Sequence, residues 1–454
     1  MGSEISEMEK ADSPLELCDF LYLELKKLKK LNLEKKDLWS QSHFADRLPW
    51  PSEANKLYLF FWHTDRQIIY SQFIYSLYEI EVPKPLPPPP TKAAQNAERS
   101  NPSCLYPILE FETGTYPEGM CCVQLGSELY FFGGELYLKN AAGGVLPREV
   151  YIFYLILYNK YPDLLRRLTG KLLLKTKPMN SGKASPQTFV ADEKIYVMGS
   201  TFQGLDDKSF AYFEVYDPVE AMWTVLPNPP IRNVNTRWVG NAVVGRKAVL
   251  VALQLGQERL YCFNLDTSQW TNRVSIPDFP AGDFFSGKTE FVENTLYGCY
   301  FNTIGAIAPL VNNEEEEEEE EWEEWEEEEE EEEVQQIERL LNNYRLHLVS
   351  EEMGMDAIFY APLQLRSSSS LLHLGNRYFC YVRSGTDFLP QDNDYKSYNY
   401  RKRLISIIIF QAPVHNENAI APRFFRANFV YSKHYQLHFP YSKDVVIKGC
   451  YALR

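Results

Sequence analysis

Histidine is the commonest metal-ligating side chain, and only two of the seven histidines in this sequence lie close together. His434 and His438 are four positions apart, a spacing that places both imidazoles on one face of a strand or a helix. The glutamate of the zinc-protease helix motif is missing between them, and Phe439-Pro440 follows directly. We therefore expect a surface or core pair of histidines here and not a metal site.

Other patterns that could support catalysis or cofactor binding are weak. The chain has no G-x-G-x-x-G dinucleotide-binding fingerprint and no G-x-S-x-G nucleophile motif. The adjacent acidic residues Asp206-Asp207 and Asp392-Asn393-Asp394 could bind a cation, but the turn-forming tendency of Asp and Asn explains them more simply. The sequence therefore predicts no catalytic residue, no metal ligand and no cofactor, and it identifies no binding residue.

Cysteine usage and hydropathy indicate the compartment. None of the eight cysteines forms a C-x-x-C pair, and several lie in apolar strand-like runs, where a free cysteine behaves as a small hydrophobic residue. The first ten residues are polar and lack the hydrophobic core of a secretion signal. No apolar run reaches the length of a membrane span. We expect an intracellular protein, cytoplasmic or nuclear, because free thiols persist in a reducing compartment.

The acidity of the chain is concentrated in one run. The net charge is −16, and 18 of the 62 acidic residues lie between Glu314 and Glu333. Without that run, 44 acidic residues face 46 basic ones, so the rest of the chain is close to neutral. One interpretation is a tether for a basic partner, to which Trp322 and Trp325 add cation–π capacity. The other is a low-complexity insertion in a loop, which is tolerated because loop-closure entropy grows slowly with length.

Two segments that are one repeat apart share a pattern. In each, an aromatic residue stands seven positions before a tryptophan, an Asp or Asn stands six before it, and a proline follows a few residues later. The tryptophans are Trp223 and Trp270, 47 residues apart. An earlier strand-like run ends in Gly133-Gly134, where glycine permits a tight turn with positive φ. A period near 50 residues that is rich in strands predicts a β-propeller.

Strand-like runs extend this pattern in both directions. Further units begin near Gln187, Asn241, Lys288 and Leu371, and an apolar run at Val150–Leu157 is predicted to be one buried strand. Strands predicted over 57–82 and 424–454 are left unpaired at the two ends. Because closing the ring removes exposed sheet edges, we expect these strands to share one blade. The fold predicted is all-β, a six-bladed propeller closed by both termini.

The diglycine and the two tryptophan segments resemble kelch repeats, and the chain is similar to the kelch-repeat and galactose-oxidase-like superfamily of β-propellers, in particular to plant-type kelch-repeat proteins. Recognisable motifs cover residues from about 117 to 283, and beyond 284 only the strand pattern continues. The resemblance implies kelch-type blades and, for most intracellular members, binding of another protein. A minority of the superfamily are enzymes, and the galactose-oxidase-like ones hold copper through Tyr and His side chains.

Three segments are expected to lie outside the regular blades of a propeller that spans 56–454. Residues 1–50 are a helical extension: Ser13-Pro14-Leu15-Glu16 is a capping box, and the leucines that follow have helical spacing. This helix either docks a partner or packs on its own propeller. Residues 83–103 are a Pro-rich linker, in which four consecutive prolines exclude a sheet interior. Residues 312–345 are an acidic and helical insertion.

The function expected is that of a non-catalytic protein–protein interaction module or scaffold, which binds through the loops of the propeller. The partner is a protein, with basic segments as one candidate chemistry; no nucleic acid is expected as a partner, and no membrane span is expected. Two alternatives stay open: a substrate-recognition subunit of a ubiquitin ligase and a galactose-oxidase-like propeller enzyme. Leu48-Pro49-Trp50-Pro51 is too slight a trace of an F-box to decide for the first.

Overall fold

The computed structural model describes residues 56–64, 73–82, 102–112, 114–136, 145–162, 173–199, 210–230, 236–254, 257–270, 289–293, 295–300, 303–309, 344–349, 368–386, 403–412, 424–425, 427–437 and 445–452. Nearly all of these residues lie in strands or in the turns that join them. In chain order the strands are β1 (Lys56–Thr64), β2 (Phe73–Glu81), β3 (Ser103–Leu105), β4 (Pro107–Glu112), β5 (Cys121–Leu125), β6 (Glu128–Phe132), β7 (Val150–Tyr154), β8 (Leu174–Lys175), β9 (Gln187–Ala191), β10 (Lys194–Met198), β11 (Phe213–Asp217), β12 (Met222–Val225), β13 (Thr236–Val244), β14 (Lys247–Gln254), β15 (Gln257–Asn264), β16 (Gln269–Trp270), β17 (Glu290–Val292), β18 (Thr295–Tyr300), β19 (Thr303–Pro309), β20 (Tyr344–Val349), β21 (Ser369–Gly375), β22 (Tyr378–Thr386), β23 (Arg403–Gln411), β24 (Phe424–Phe425), β25 (Asn428–Leu437) and β26 (Val445–Ala452). One short helix, α1 (Leu155–Lys160), follows β7.

These strands form six sheets, which are the blades of a propeller. Blades 2, 3 and 4 are antiparallel meanders made of β5–β8, β9–β12 and β13–β16. Blade 5 contains β17–β20 and blade 6 contains β21, β22, β23 and β25, and each of these two blades has a fifth strand at its outer edge. Blade 1 has the order β26-β1-β2-β4, so the C-terminal strand joins three strands from the N-terminal part of the chain. The predicted all-β, six-bladed propeller closed by both termini is confirmed.

The first strand of each blade lies nearest the propeller axis, and these inner strands contact one another around a full ring. β26 lies between β21 and β5, and the series continues through β9, β13 and β17 back to β21. The last strand of the chain is therefore one of six equivalent inner strands, and no inner strand is left out of the ring.

Apolar residues fill the spaces between blades, and alternate residues of one strand serve two different interfaces. On β1, Tyr58 and Phe60 pack towards blade 2, whereas Leu57, Leu59 and Phe61 pack towards blade 6. All five are buried. Because both faces of a blade are covered, successive residues of such a strand are apolar, and its sequence does not alternate between apolar and polar residues.

Turns of one kind join the first two strands of several blades, and they define one face of the propeller, here called the turn face. Backbone with positive φ recurs there, at Gly126, at Asp192 and Glu193, and at Asn376 and Arg377. Two-residue turns of this left-handed type match the twist of the flanking strands. In an antiparallel meander, the connection between the third and fourth strands returns to the same face.

Two strand predictions need correction. Of the predicted run 424–454, only β26 enters the closing blade, because β25 completes blade 6 as its fourth strand and β24 pairs with blade 5. Val150–Leu157 is not one strand: β7 ends at Tyr154 and α1 begins at Leu155. The backbone turns there because Leu155 N–H donates to the Ser127 carbonyl, and Leu155 and Leu157 are buried in the core that blades 1 and 2 share.

Several predicted features lie wholly or mostly outside the described residues. They are the helical extension at 1–50, Asp206-Asp207, Asp392-Asn393-Asp394, His438 and almost all of the Pro-rich and acidic segments. At its end the predicted insertion 312–345 overlaps β20, which begins at Tyr344. The acidic run therefore belongs to the connection between β19 and β20, which pair with each other in antiparallel register from Pro309 and Tyr344 onward. That connection joins the third and fourth strands of blade 5, so it leaves the propeller at the turn face.

Candidate functional site

The two repeat tryptophans occupy equivalent places between blades. The indole N–H of Trp223 donates to the Lys177 carbonyl at 2.9 Å, and that of Trp270 donates to the Pro227 carbonyl at 2.8 Å. Each acceptor lies two residues after the outer strand of the preceding blade. Trp223 is buried between blades 2 and 3, whereas Trp270 is only partly buried between blades 3 and 4. Both side chains therefore join one blade to the blade before it.

The Asp or Asn that stands six residues before each tryptophan shapes the turn between the last two strands of the blade. Asp217 Oδ1 accepts from the backbone N–H groups of Val219 and Glu220 at 2.9 and 3.2 Å. Asn264 Oδ1 accepts from the two N–H groups at the equivalent positions, at 2.8 and 3.1 Å. This is the Asx-turn chemistry for which short polar side chains are used in turns. The repeat therefore encodes a turn and an inter-blade anchor, and both are structural.

A buried ion pair lies between blades 2 and 3, and sequence reasoning did not find it. The ammonium of Lys183 contacts Glu214 Oε1, and both side chains are fully buried. Glu214 also accepts from the Asn180 backbone at 2.8 Å, from the Asn180 side-chain amide at 2.7 Å and from the Ser181 backbone at 3.1 Å. Burial lowers the pKa of Lys183, although the adjacent carboxylate opposes that shift. The pair fixes the connection that leads from blade 2 into blade 3.

The diglycine of blade 2 packs against this same connection. Gly134 N–H donates to the Lys183 carbonyl at 2.8 Å. A Cβ added at Gly134 would collide with the Glu118 carbonyl, and one added at Gly133 would collide with the Pro186 ring. Both glycines also have positive φ. Glycine is therefore required at these positions for close backbone approach as well as for conformation.

Polar contacts lock β26 to both neighbouring blades. On the blade 6 side, the hydroxyl of Ser368 accepts from Ile447 N–H at 2.6 Å, and the hydroxyl of Ser384 donates to the Val445 carbonyl at 3.2 Å. On the blade 2 side, the Tyr451 hydroxyl donates to the Cys122 carbonyl at 2.8 Å. The Gln124 amide donates to the carbonyl of Ala452 at 2.7 Å. The ring is closed by side chains as well as by strand pairing.

Exposed charges also connect blades 3 and 4 on the turn face. Arg246 contacts Asp192 of the neighbouring blade and donates to Asp266 of its own blade, with the Nε–Oδ1 distance at 3.0 Å. Arg246 lowers the pKa of Asp266 through this hydrogen bond. All three side chains are solvent-exposed, and exposed ion pairs contribute little to stability.

Four histidines lie among the described residues, and all four are in strands. His434 is buried on β25 in blade 6, but His438 lies outside the described residues, so the expected surface or core pair stays a prediction. His63 Nε2 lies 3.0 Å from the Ser76 hydroxyl, which in turn lies 3.4 Å from Glu110 Oε1. In a nucleophilic triad the imidazole stands between the hydroxyl and the carboxylate, whereas here the buried hydroxyl is in the middle. Among the described residues no group of three or more His, Cys, Asp or Glu side chains is placed to hold a metal ion.

The described cysteines are free thiols and most are buried, as their positions in apolar runs predict. Burial raises the pKa of the Cys122 and Cys299 thiols. The pKa of Cys380 is raised by its hydrogen bond with Cys450 and by burial. Thiols with raised pKa are poor nucleophiles, so these side chains act as packing residues.

One phosphate-binding pattern escaped the sequence analysis. Gly282-Asp-Phe-Phe-Ser-Gly287-Lys288-Thr289 matches G-x-x-x-x-G-K-[ST], whose backbone cradles phosphate where a helix begins. Of these eight residues the structure describes only Thr289, which is buried and is followed directly by β17. A strand in the place of the helix does not provide the row of N–H groups on which such a loop depends.

Together these features define a closed six-bladed β-propeller whose blade-to-blade connections are held by buried polar contacts. The chain belongs to the family described as "Protein of unknown function (DUF1668)", whose profile matches residues 55–418. The match begins one residue before β1 and ends before β24, so it leaves out three strands: β24 at the edge of blade 5, β25, which completes blade 6, and β26, which closes the ring. Comparison with curated proteins finds no match to this chain. Across the described ranges, no helix is long and apolar enough to cross a membrane.

Proposed function

We propose that this protein is a non-catalytic interaction module: a kelch-type propeller in the cytoplasm or nucleus that binds a protein partner through its loops. The observation that carries the proposal is the position of the buried polar groups: they hold connections and strands of the scaffold in place. Lys183 and Glu214 hold a blade-to-blade connection, and Ser368 and Ser384 hold the closing strand. Tyr75 links blades 1 and 2 through the Pro117 carbonyl and Met120 N–H.

These contacts support binding because they hold the loops in place before a partner arrives. Ordering loops and side chains at an interface costs free energy, and a surface that is already fixed avoids part of that cost. The blade 2–3 connection is the clearest case, since Ser181 Oγ also accepts from Ala211 N–H at 2.9 Å and so fixes the loop that enters β11. Neighbouring loops on the face opposite the turn face are thus held against each other.

A partner with basic segments is the chemistry that the charge distribution favours. The connection between β19 and β20 carries the run Glu314–Glu333 on an otherwise near-neutral chain. An acidic run of this kind raises the encounter rate with a basic partner, and added salt screens the attraction within about 10 Å at 0.1 M.

The test begins with proximity labelling by the intact chain, followed by purification of the labelled partner and direct titration of the two proteins. We expect saturable binding, with the partner recovered chemically unchanged. Deletion of Glu314–Glu333 should weaken binding of a basic partner and flatten its salt dependence. Metal analysis of the purified chain separates the proposal from a galactose-oxidase-like enzyme, because stoichiometric copper or zinc would overturn it.

A further inference from the structure

Two cysteine side chains meet where the closing strand packs on blade 6. Cys450 lies on β26 and Cys380 lies on β22, the second strand of blade 6, and a hydrogen bond joins their thiols. Both side chains are buried in the apolar core that blades 1 and 6 share. The two cysteines are 70 positions apart in the sequence, so the closed ring brings together two distant segments of the chain here.

The position of each cysteine along its strand brings the two thiols to the same height between the blades. The hydroxyl of Ser384 on β22 donates to the carbonyl of Val445 on β26 at 3.2 Å, which fixes one point of contact between the strands. From that point towards the turn face, Cys380 is four residues along β22. Cys450 is five residues along β26, and one of these, Lys448, is the extra residue of a β-bulge. The two paths are therefore nearly equal in length.

Other described cysteines have different surroundings. Cys121 and Cys122 are adjacent on β5, and successive side chains of a strand point to opposite faces. The Cys299 thiol on β18 is as buried as Cys450, but its hydrogen bond is with the side chain of Ser369. Cys299 therefore provides a buried thiol against which the behaviour of the pair can be compared.

The arrangement of the pair is that of a reduced inter-sheet disulfide. A disulfide requires two nearby backbones whose cysteine side chains point at each other. β22 and β26 pack against each other, and the hydrogen bond shows that the two thiols are directed to one point. We propose that Cys380 and Cys450 are a site of reversible oxidation, at which a low-molecular-weight disulfide converts the two thiols into a disulfide that ties the closing strand to blade 6. This modification is independent of the proposed interaction function.

The oxidation is a thiol–disulfide exchange in two steps. Local opening of β26 comes first, because the hydrogen bond with Cys450 and burial raise the pKa of Cys380, and a buried protonated thiol does not react. The Cys450 thiolate then attacks a small disulfide such as oxidised glutathione, so that one S–S bond forms, one breaks and one small thiol leaves. As the strand closes again, the Cys380 thiolate attacks the Cys450 sulfur and releases the second small thiol. Each proton lost by a cysteine ends on a departing thiolate, and the small disulfide is reduced to two thiols.

Oxidation of the intact chain tests this site. The chain is equilibrated in reduced and in oxidised glutathione buffer, free thiols are blocked by alkylation, and linked peptides are identified by mass spectrometry. We expect a Cys380–Cys450 linkage that dithiothreitol removes, and a melting temperature about 5 °C above that of the reduced chain, because a crosslink across 70 residues restricts the unfolded state. Cys380→Ala and Cys450→Ala should each lack the linkage and the increase, with each variant compared with its own reduced form. Cys299→Ala is the matched control and should keep both.

Four results would overturn the proposed disulfide. They are free thiols at both positions after oxidation of the unaltered chain, a linkage that forms only when urea unfolds the chain, a stable glutathione adduct on Cys450 without a linkage, and an oxidised chain that melts at the same temperature as the reduced one. An increase in melting temperature that persists in Cys380→Ala would also reject it, since the increase would then have another origin. If Cys380→Ala does not fold, Cys450→Ala supplies the same comparison, and the linkage in the unaltered chain decides between the outcomes.

Discussion

Replacing Glu214 by Gln should be among the most destabilising changes in the described part of the chain. The substitution keeps the size of the side chain and one acceptor oxygen, but it leaves the Lys183 ammonium buried without its counter-ion. The remaining acceptor of Lys183 is the Ser181 carbonyl at 3.1 Å. Breaking a buried ion pair by removing one partner costs about 3–5 kcal/mol, and we expect a loss in that range.

Replacing Lys183 alone and replacing both residues of the pair should destabilise the chain by different amounts, because the hydrogen bonds of Glu214 are kept in one variant and lost in the other. Lys183→Met should cost less than Glu214→Gln, because the carboxylate keeps three N–H donors from Asn180 and Ser181. Lys183→Met combined with Glu214→Leu removes both charges but leaves the backbone N–H groups of Asn180 and Ser181 without their carboxylate acceptor. A buried unsatisfied group costs about 1–3 kcal/mol, so the double variant should not recover the stability of the unaltered chain.

Equilibrium unfolding in urea, with the midpoint and the m-value both fitted, measures these differences. The control is Lys194→Met, which breaks the ion pair between Lys194 and Asp217 at 3.0 Å on the exposed surface. Exposed pairs contribute about 0–1 kcal/mol, so this variant should unfold almost like the unaltered chain. A loss below about 1 kcal/mol in Glu214→Gln, equal to that of the control, would refute the reasoning, because it would mean that the carboxylate is solvated.

The remaining predictions concern the repeats, the ring and the surface. Trp223→Ala should cost about 3–5 kcal/mol, as for other large core truncations, and Trp270→Ala should cost less because its side chain is only partly buried; calorimetric melting compares them, and equal losses would contradict the difference in burial. Deleting 1–50 should leave a cooperatively melting protein, whereas deleting 1–83 should not, because β1 and β2 pair within the closing blade; a soluble, cooperatively melting 84–454 fragment would contradict this. Removing Glu314–Glu333 should leave the melting temperature nearly unchanged, because carboxylates cannot be buried unpaired; unfolding would show that the run belongs to a blade. Lys194 lowers the pKa of Asp217 in the folded chain, so the stability lost in Lys194→Met should be present above the ordinary pKa of aspartate, about 4, and should vanish as pH falls through the lowered value; a difference that persists at pH 2 would have another origin.

The architecture could be predicted from the sequence because short-range interactions produce the repeat pattern. Asp217 and Asn264 make the same turn, and Trp223 and Trp270 bind equivalent carbonyls, so two short patterns locate two equivalent blades. The assignment of the terminal strands was partly wrong because pairing is long-range. β25 and β26 are both apolar runs, and nothing local in either distinguishes the fourth strand of blade 6 from the inner strand of blade 1.

The candidate sites were harder to predict than the fold. Glu214 lies two residues before Tyr216 of the repeat pattern, but its partner Lys183 lies 31 residues earlier in a connection that has no motif. Met222 and Val225 are apolar residues of a strand and would be assigned to the core from sequence alone. In the structure both side chains are more than half exposed on β12, the outer strand of blade 3.

The central claim is that a closed propeller of this family binds a protein partner without chemical change to it. Calorimetric titration of the intact chain with the purified partner, with mass spectrometry of that partner before and after, tests this most directly. We predict saturable binding at a fixed stoichiometry and an unchanged partner mass. Turnover of the partner into a species of different mass would contradict the account.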